Sequence, residues 1–343
     1  MSTNLNLLPS PTWNHLGVNE ASAQFALPDV LPDGAWVGAL PDGVSRLDPC
    51  PELFMDWDTG TGLACTAAMA HVPQLGLSVT GQAAAPLVLT QTGGAMLSVD
   101  MAPGSALTAV LLLDGDAPAA NMVQIQVGAG AKLKLTTLRL SGSAPHWSGI
   151  ALGLGEDAAA QLLRVELGQG QVLAGSKTVL LGDRASLTLD TLYFGGAGGA
   201  LDFNDTATHL GRDTHSQQTC TGVLAKGGDK LYRGTVDLRR GAVRAVGHES
   251  EDVLLLDPDV KNRTVPLILC GEENVEGQHA ATIGRLDEEA LFYLMSRGLT
   301  KEDARKALIK ARFAVPLALL PEELQQSVTD ALERRLSHAG RAR

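Results

Sequence analysis

Four glycine-led corners recur along the chain at nearly constant spacing, and that period restricts the fold more than any other feature. Gly104, Gly128, Gly155 and Gly182 are each followed two or three residues later by an alanine: Ala106, Ala131, Ala158 and Ala185. The last three glycines stand 27 residues apart, and the first precedes them by 24. The corners lead into alternating runs, as from Lys132 to Leu140 and from Ser186 to Leu192. Alternation with period two puts most leucines on one face and the Lys, Thr and Asp residues on the other. A fixed period in the twenties, with no helical pattern between corners, marks a solenoid whose strands stack in parallel one period apart. Glycine at a corner permits backbone angles closed to other residues. A β-sandwich would also show many short strands with turn signals; the near-constant spacing favours the solenoid.

The composition agrees. Among 343 residues, 38 are glycine and only 4% are aromatic, which suits repeated strands and tight corners. A formal charge of −11 argues against a nucleic-acid partner held by a basic surface. Residues 1–12 lack the pattern of a signal peptide, and apolar runs such as Leu107 to Leu113 are too short to span a bilayer. A cytoplasmic protein without a membrane segment is expected. The four cysteines, Cys50, Cys65, Cys220 and Cys270, are scattered with no Cys-x-x-Cys pair. A complete zinc or cluster site built by this chain alone is therefore unsupported, and each cysteine reads first as a small buried hydrophobe.

The expected fold is mainly β: a right-handed parallel β-helix core at 61–286, a short irregular N-terminal region at 1–60 and a C-terminal helical subdomain at 287–343. Seven prolines between Pro9 and Pro51 break any long helix in the first region, while Trp13, Trp36 and Trp57 suggest that it packs onto the core. After Leu286, Asp287 is a good N-cap and Gly298 a left-handed helix stop. Thr300 with Asp303 starts a second helix to about Phe313, where Pro316 interrupts, and Pro321 opens a third. Leu324, Val328, Ala331, Leu332 and Leu336 form an apolar stripe on that last helix, read most simply as a cap over the open end of the solenoid.

Chemistry-bearing residues are few. His279 stands at the junction of the β region with the helices, where a lone histidine is more often structural than a ligand. His209, His215 and Cys220 have spacings compatible with a metal, yet a strand would scatter them, and coil surface is the simpler expectation. His248 and Glu249, with Glu251 and Asp252 after them, read as a solvated acidic turn. No phosphate-binding Gly-x-x-x-x-Gly-Lys-Ser/Thr motif is present, so the chain itself is not expected to bind or hydrolyse nucleotide; Gly195 to Gly199 lacks the lysine. No Gly-x-Ser-x-Gly elbow stands out either. A β-helix carbohydrate-active enzyme, the rival class, would need clustered acids and aromatic sugar platforms along the coils, and these are missing.

The segment from Asn274 to Asp287 and on through Phe292, Tyr293, Leu294, Ser296, Arg297 and Gly298 resembles the SufB/SufD family of iron–sulfur cluster assembly scaffolds, and within it the SufD-like branch. Pro266 stands thirteen residues before His279, as in that family. Ala280 takes the place of a glutamate usual in SufB-like chains. Gly277 takes the place of a cysteine frequent in SufD-like ones, so no thiol role carries over there. Asp229, Lys230, Tyr232 and Gly234 match a further family segment. The resemblance is specific over about 205–315 and architectural over 60–205. It implies a β-helix core and a non-enzymatic scaffold that pairs with a SufB-like subunit or with a second copy of itself. A SufC-like ABC-type ATPase would dock on the C-terminal helices near Arg297, Lys301, Arg305 and Lys306. It also implies that His279 contributes to a transient iron–sulfur cluster at the partner interface, as a metal ligand shared with the partner; Cys270, Cys220 and His215 are lesser candidates by their place in or near this segment.

Overall fold

The computed structural model describes residues 6–12, 14–21, 34–48, 50, 72–318 and 320–341. Two nine-stranded sheets face one another, and the chain passes from one to the other at each corner, so that strands two apart in sequence pair in parallel. The result is a β-solenoid of about seven turns. Lys132, Ala159 and Ser186 lie side by side on successive coils, as the 27-residue spacing requires. The column continues through His215, Val246 and Glu276, with steps of 29, 31 and 30 residues. Later corners lengthen, which is why the glycine period fades from the sequence after Gly182.

At the corners themselves the left-handed positions are Gly104, Gly130, Asp157, Arg184, Asp213 and Arg244. Gly128, Gly155 and Gly182 are not among them, so their requirement is steric. A Cβ on Gly182 would lie 2.1 Å from the Glu156 backbone nitrogen of the coil beneath, and one on Gly128 would lie 2.5 Å from the Met101 carbonyl oxygen. Coils this closely stacked leave no room for a side chain there. The non-glycine left-handed residues pair across coils, Arg184 with Asp157 at 2.7 Å and Arg244 with Asp213 at 2.5 Å. Being exposed and screened by solvent, these pairs order the corners more than they stabilise the fold.

Inside the solenoid the early coils are filled by Leu, Val and Ala, among them Leu77, Leu89, Leu133, Leu135 and Leu162. Strand β12 (Ser186–Gly195) shows how the outside is handled. Its burial alternates through the first half and becomes continuous in the second, because Leu192 and Phe194 point outward beneath helices. Helix α1 (Glu288–Ser296) is followed by α2 (Lys301–Leu317) and α3 (Glu322–Arg341). Ile309, Phe313 and Leu317 of α2, with Val328, Ala331, Leu332 and Leu336 of α3, pack on a column of outward apolar residues: Leu138, Val165, Leu192, Phe194, Val223 and Leu254. Burying a side chain of this size is worth about 1.5–3 kcal/mol. Arg335 donates to the Phe194 carbonyl at 3.1 Å while lying 5.0 Å over its ring, and Arg312 pairs with Asp252.

The apolar stripe thus covers a flank of the sheet, not the end of the solenoid. The outward Leu and Phe column offers it a wide apolar surface along the coils, which the narrow end of the solenoid does not. Caps fall where expected: Asp287 accepts from Glu289 N and Ala290 N, Thr300 accepts from Asp303 N, and Gly298 has φ 98°. Pro316 does not stop α2, which runs on to Leu317; in the last turn its missing N–H costs a single bond.

The two ends of the solenoid differ. At the first coil, β1 (Ala35–Val37) and β2 (Val44–Arg46) lie antiparallel on the outermost strands and close both edges. Trp36 on β1 is buried, whereas Trp13 and Trp57 lie outside the described residues. At the last coil, β17 (Lys261–Cys270) and β18 (Glu276–Arg285) are edge strands with no further strand beside them among the described residues. Parts of 6–12 and 14–21 lie on the outer face of the sheet opposite the helices: Leu8 and Val18 pack with Leu231 and Val265. Asn6 donates to Asp202 at 2.6 Å, and Arg233 donates to the Val18 carbonyl at 2.6 Å.

Candidate functional site

The open last coil is where the chemistry collects. Every residue of β18 is exposed except the half-buried Gly284, and His279 sits at its centre. Parity decides which way each side chain faces. A Cβ on Gly277 would meet Ile268 at 3.0 Å, inside the solenoid, whereas Gly284 faces open space. His279 shares the parity of Gly277 and therefore belongs to the lumen-facing set at the mouth.

Behind that mouth the lumen turns from apolar to ionic. On β14 (His215–Leu224), β15 (Asp229–Leu238) and β16 (Val246–Leu255) the inward positions include Cys220, Lys230, Tyr232, Glu249 and Glu251. Lys230 pairs with Glu251, both fully enclosed, and Thr264 of β17 donates to the same carboxylate. The ammonium also donates to the Arg263 carbonyl at 3.2 Å and lies about 6 Å from the rings of Tyr193 and Tyr232. One layer deeper, Arg164 forks onto Asp205 with two bonds of 3.0 Å, and Ser176 donates to Asp205 at 2.5 Å. Glycines make the space: a Cβ on Gly222 would strike the Tyr193 ring at 2.1 Å.

Burial acts on the groups left without a counterion. Desolvation, reinforced by Glu251 and Asp205, pushes the Glu249 carboxyl up to about 8 against the pull of Lys230. It raises the Cys220 thiol well above its usual range, so this thiol is held neutral and poorly nucleophilic. Glu166, 1% exposed at the end of β10 (Ala159–Glu166), has an Oε2 without a partner among the described residues. Desolvation lifts it from 4.5 to about 7, with Arg139 and Arg164 opposing. The native chain therefore binds more protons here than the unfolded one between those values. The stability this group contributes is complete below about 4.5 and lost as pH rises through 7. Glu166→Gln should remove that slope: the stability gap between parent and variant should change by about 2–3 kcal/mol from pH 5 to pH 8 in urea melts. Parallel profiles would show that Glu166 ionises freely.

The residues singled out in the sequence are dispersed by the strands. Cys220 and His215, five apart on β14, fall on opposite faces: Cys220 is buried in the lumen and His215 exposed. His209 is not coil surface; it is buried at a corner, hydrogen-bonded to Thr214 and Ser216 at 2.8 Å each. Cys270 is exposed at the end of β17, on the last coil with His279, and donates to the Glu272 carbonyl at 3.2 Å. Cys65 lies outside the described residues. The supposed acidic turn at 248–252 is strand β16: His248 and Asp252 face outward while Glu249 and Glu251 enter the lumen. The alternation of β16 against Val253 and Leu255 carries that signal, which the density of charge conceals. Arg297 and Lys301 are exposed, Arg297 stacking on Tyr293 at 5.5 Å, and Arg305 is half-buried. Among the described residues no group of three or more His, Cys, Asp or Glu side chains is arranged to hold a metal. No helix among them is long and apolar enough to cross a membrane.

Residues 92–312 match the family described as SUF system FeS cluster assembly, SufBD core domain. The chain belongs to this SufB/SufD family. It is 26% identical to the iron–sulfur cluster assembly protein SufD of Escherichia coli (strain K12) over 250 residues, which cover 71% of this chain and 59% of that protein. It is 27% identical to SufD of Bacillus subtilis (strain 168) over 171 residues, half of this chain and 39% of that one. A SufBD family protein of Mycobacterium leprae (strain TN) is 29% identical over 232 residues, 64% of this chain and 25% of its own length. The matches thus span less than two thirds of each of these relatives. These matches are SufD and SufBD family proteins, and the span matched by the family takes in the ionic lumen, β17, β18 and His279.

Proposed function

We propose that this chain is a non-enzymatic scaffold subunit of a Suf-type assembly complex, and that it pairs with a SufB-like subunit through its last coil. The observation that carries this is the contrast between the ends: β1 and β2 cover the edges of the first coil, while β17 and β18 have no strand beside them among the described residues. An edge strand with unpaired backbone groups either aggregates or receives another strand, and a SufB-like solenoid would supply one. His279 would then lie at the seam. Its neutral imidazole can bind iron or relay a proton while the partner provides sulfur ligands, so that a transient cluster is held as cargo between the two chains. Cys270, on the same coil, is the one described thiol near that rim.

Helix α1 supports a second contact. Phe292 is 73% exposed, with Tyr293 and Met295 beside it, a concentration of apolar surface that a lone domain has little reason to display. A SufC-like ABC-type ATPase docking there, near Arg297, Lys301 and Arg305, would pull on the last coil through α1, which follows β18 directly. The complex would work in the cytoplasm, without nucleic acid. The bare edges would equally accept a second copy of this chain, so co-expression with SufB-like and SufC-like proteins of the same source is the test. Affinity capture followed by size exclusion should recover all three together. A chain that runs as a dimer while the other two associate with each other points to self-pairing, and a monomer under those conditions refutes the edge-pairing proposal.

A further inference from the structure

Glu249 stands one strand behind His279. The two residues are register partners across β16 and β18. Both face the lumen, since Gly247 and Gly277, two residues before each, present their missing Cβ atoms to Val236 and Ile268. Side chains at paired positions of neighbouring strands stand about 4.7–4.9 Å apart at their roots. Glu249 is 3% exposed, yet its Oε2 has no hydrogen-bond partner among the described residues.

Its place is built by the opposite sheet. A Cβ on Gly234 would lie 2.3 Å from the Glu249 Cδ and Oε1, so only glycine leaves room for the carboxyl. Pro266, the register partner of Gly234 on the last coil, has no donor to offer it. The charged groups around it are engaged elsewhere: Lys230 with Glu251 and Thr264, and Asp205 with Arg164 and Ser176. A buried acceptor without a donor is costly, about 1–3 kcal/mol. The donor in register with it, on the open side, is the imidazole of His279.

We infer that Glu249 is a positioning residue for His279: its free Oε2 accepts one ring N–H, which fixes the tautomer and turns the other nitrogen out of the mouth. A carboxyl oxygen accepts in either charge state, so the contact does not depend on titration. Histidines that bind metals are commonly held this way by an acceptor behind the ring. The inference rests on His279 being the site residue at the seam, and the test separates the two.

The full chain labelled with ¹⁵N-histidine, at a pH where imidazole is neutral, reports the tautomer of each ring; His279→Gln assigns the signal. A hydrogen bond of ordinary net strength biases the ratio by up to about tenfold. His279 should therefore show one dominant tautomer, unlike the exposed His15 in the same sample. Glu249→Leu should release it to the solvent mixture, and Glu249→Gln, which keeps a carbonyl acceptor, should retain the bias. A parent His279 with the same mixture as His15 overturns the inference without any variant, as does an unchanged bias in a folded Glu249→Leu chain. This readout needs neither partner nor cluster, so its failure is distinct from failure of the scaffold proposal.

Discussion

Arg164→Met should lower the stability of the chain by about 3–5 kcal/mol, read as a fall in the urea midpoint at unchanged slope. Arg164 and Asp205 are both within 1% of complete burial and meet in a bidentate pair. Methionine fills similar volume, so little is lost from packing. The loss comes from leaving the Asp205 carboxylate in the lumen with Ser176 as its remaining partner. Water cannot replace the guanidinium there without opening the coils. The companion Asp205→Leu in the same chain tests that cause, because removing both charges should recover most of the stability. A single variant within about 1 kcal/mol of the parent would mean that water reaches this layer.

His279→Ala should do the opposite: leave folding intact and impair function. The imidazole is exposed on an edge strand, so its removal costs at most its one hydrogen bond to Glu249, about 0.5–1.5 kcal/mol, too little to unfold the chain. In cells that depend on this assembly system, the yield of matured iron–sulfur enzymes should drop about tenfold or more, the scale on which weakened metal ligation acts. Thermal melting of the purified variant and co-purification with its partners serve as controls. A normal cluster yield would remove His279 from the mechanism and leave the open coil as a contact surface only.

These two predictions concern residues of unequal legibility. His279 stands within a composite segment long enough to place the family, and its position at the mouth follows once β18 is seen to be the last strand of its sheet. Arg164 gave no local signal. A lone arginine between Leu163 and Val165 looks like a solvent-facing residue of a strand, and only the stacking of coils brings Asp205, 41 residues later, against it. Glu249 and Glu251 were concealed for a related reason. Charge crowded at 248–252 suggests solvent, yet strand parity sends alternate members inward, where Lys230 and Thr264 await one of them. Polar partners inside a solenoid are contributed by different coils, so no window of sequence contains both.

What the sequence by itself determined is the repeating unit. Glycine spacing near 27 residues and period-two leucines suffice for parallel coils, because stacking and alternation are local properties repeated at a fixed interval. The caps at Asp287, Thr300 and Gly298 were equally local, each a side chain or a backbone angle acting within one turn. What the tertiary structure alone decided is how the unit's surfaces are used. The apolar stripe of α3 could have closed the end of the solenoid; it lies on the flank because Leu192, Phe194, Val223 and Leu254 form a wider apolar column there than the final coil offers. Among the described residues the last edges are bare for the same reason, since the three helices are occupied elsewhere. Burial against a distant surface is a sum over many coils, and it is this sum, not any local pattern, that leaves His279 exposed on the last strand.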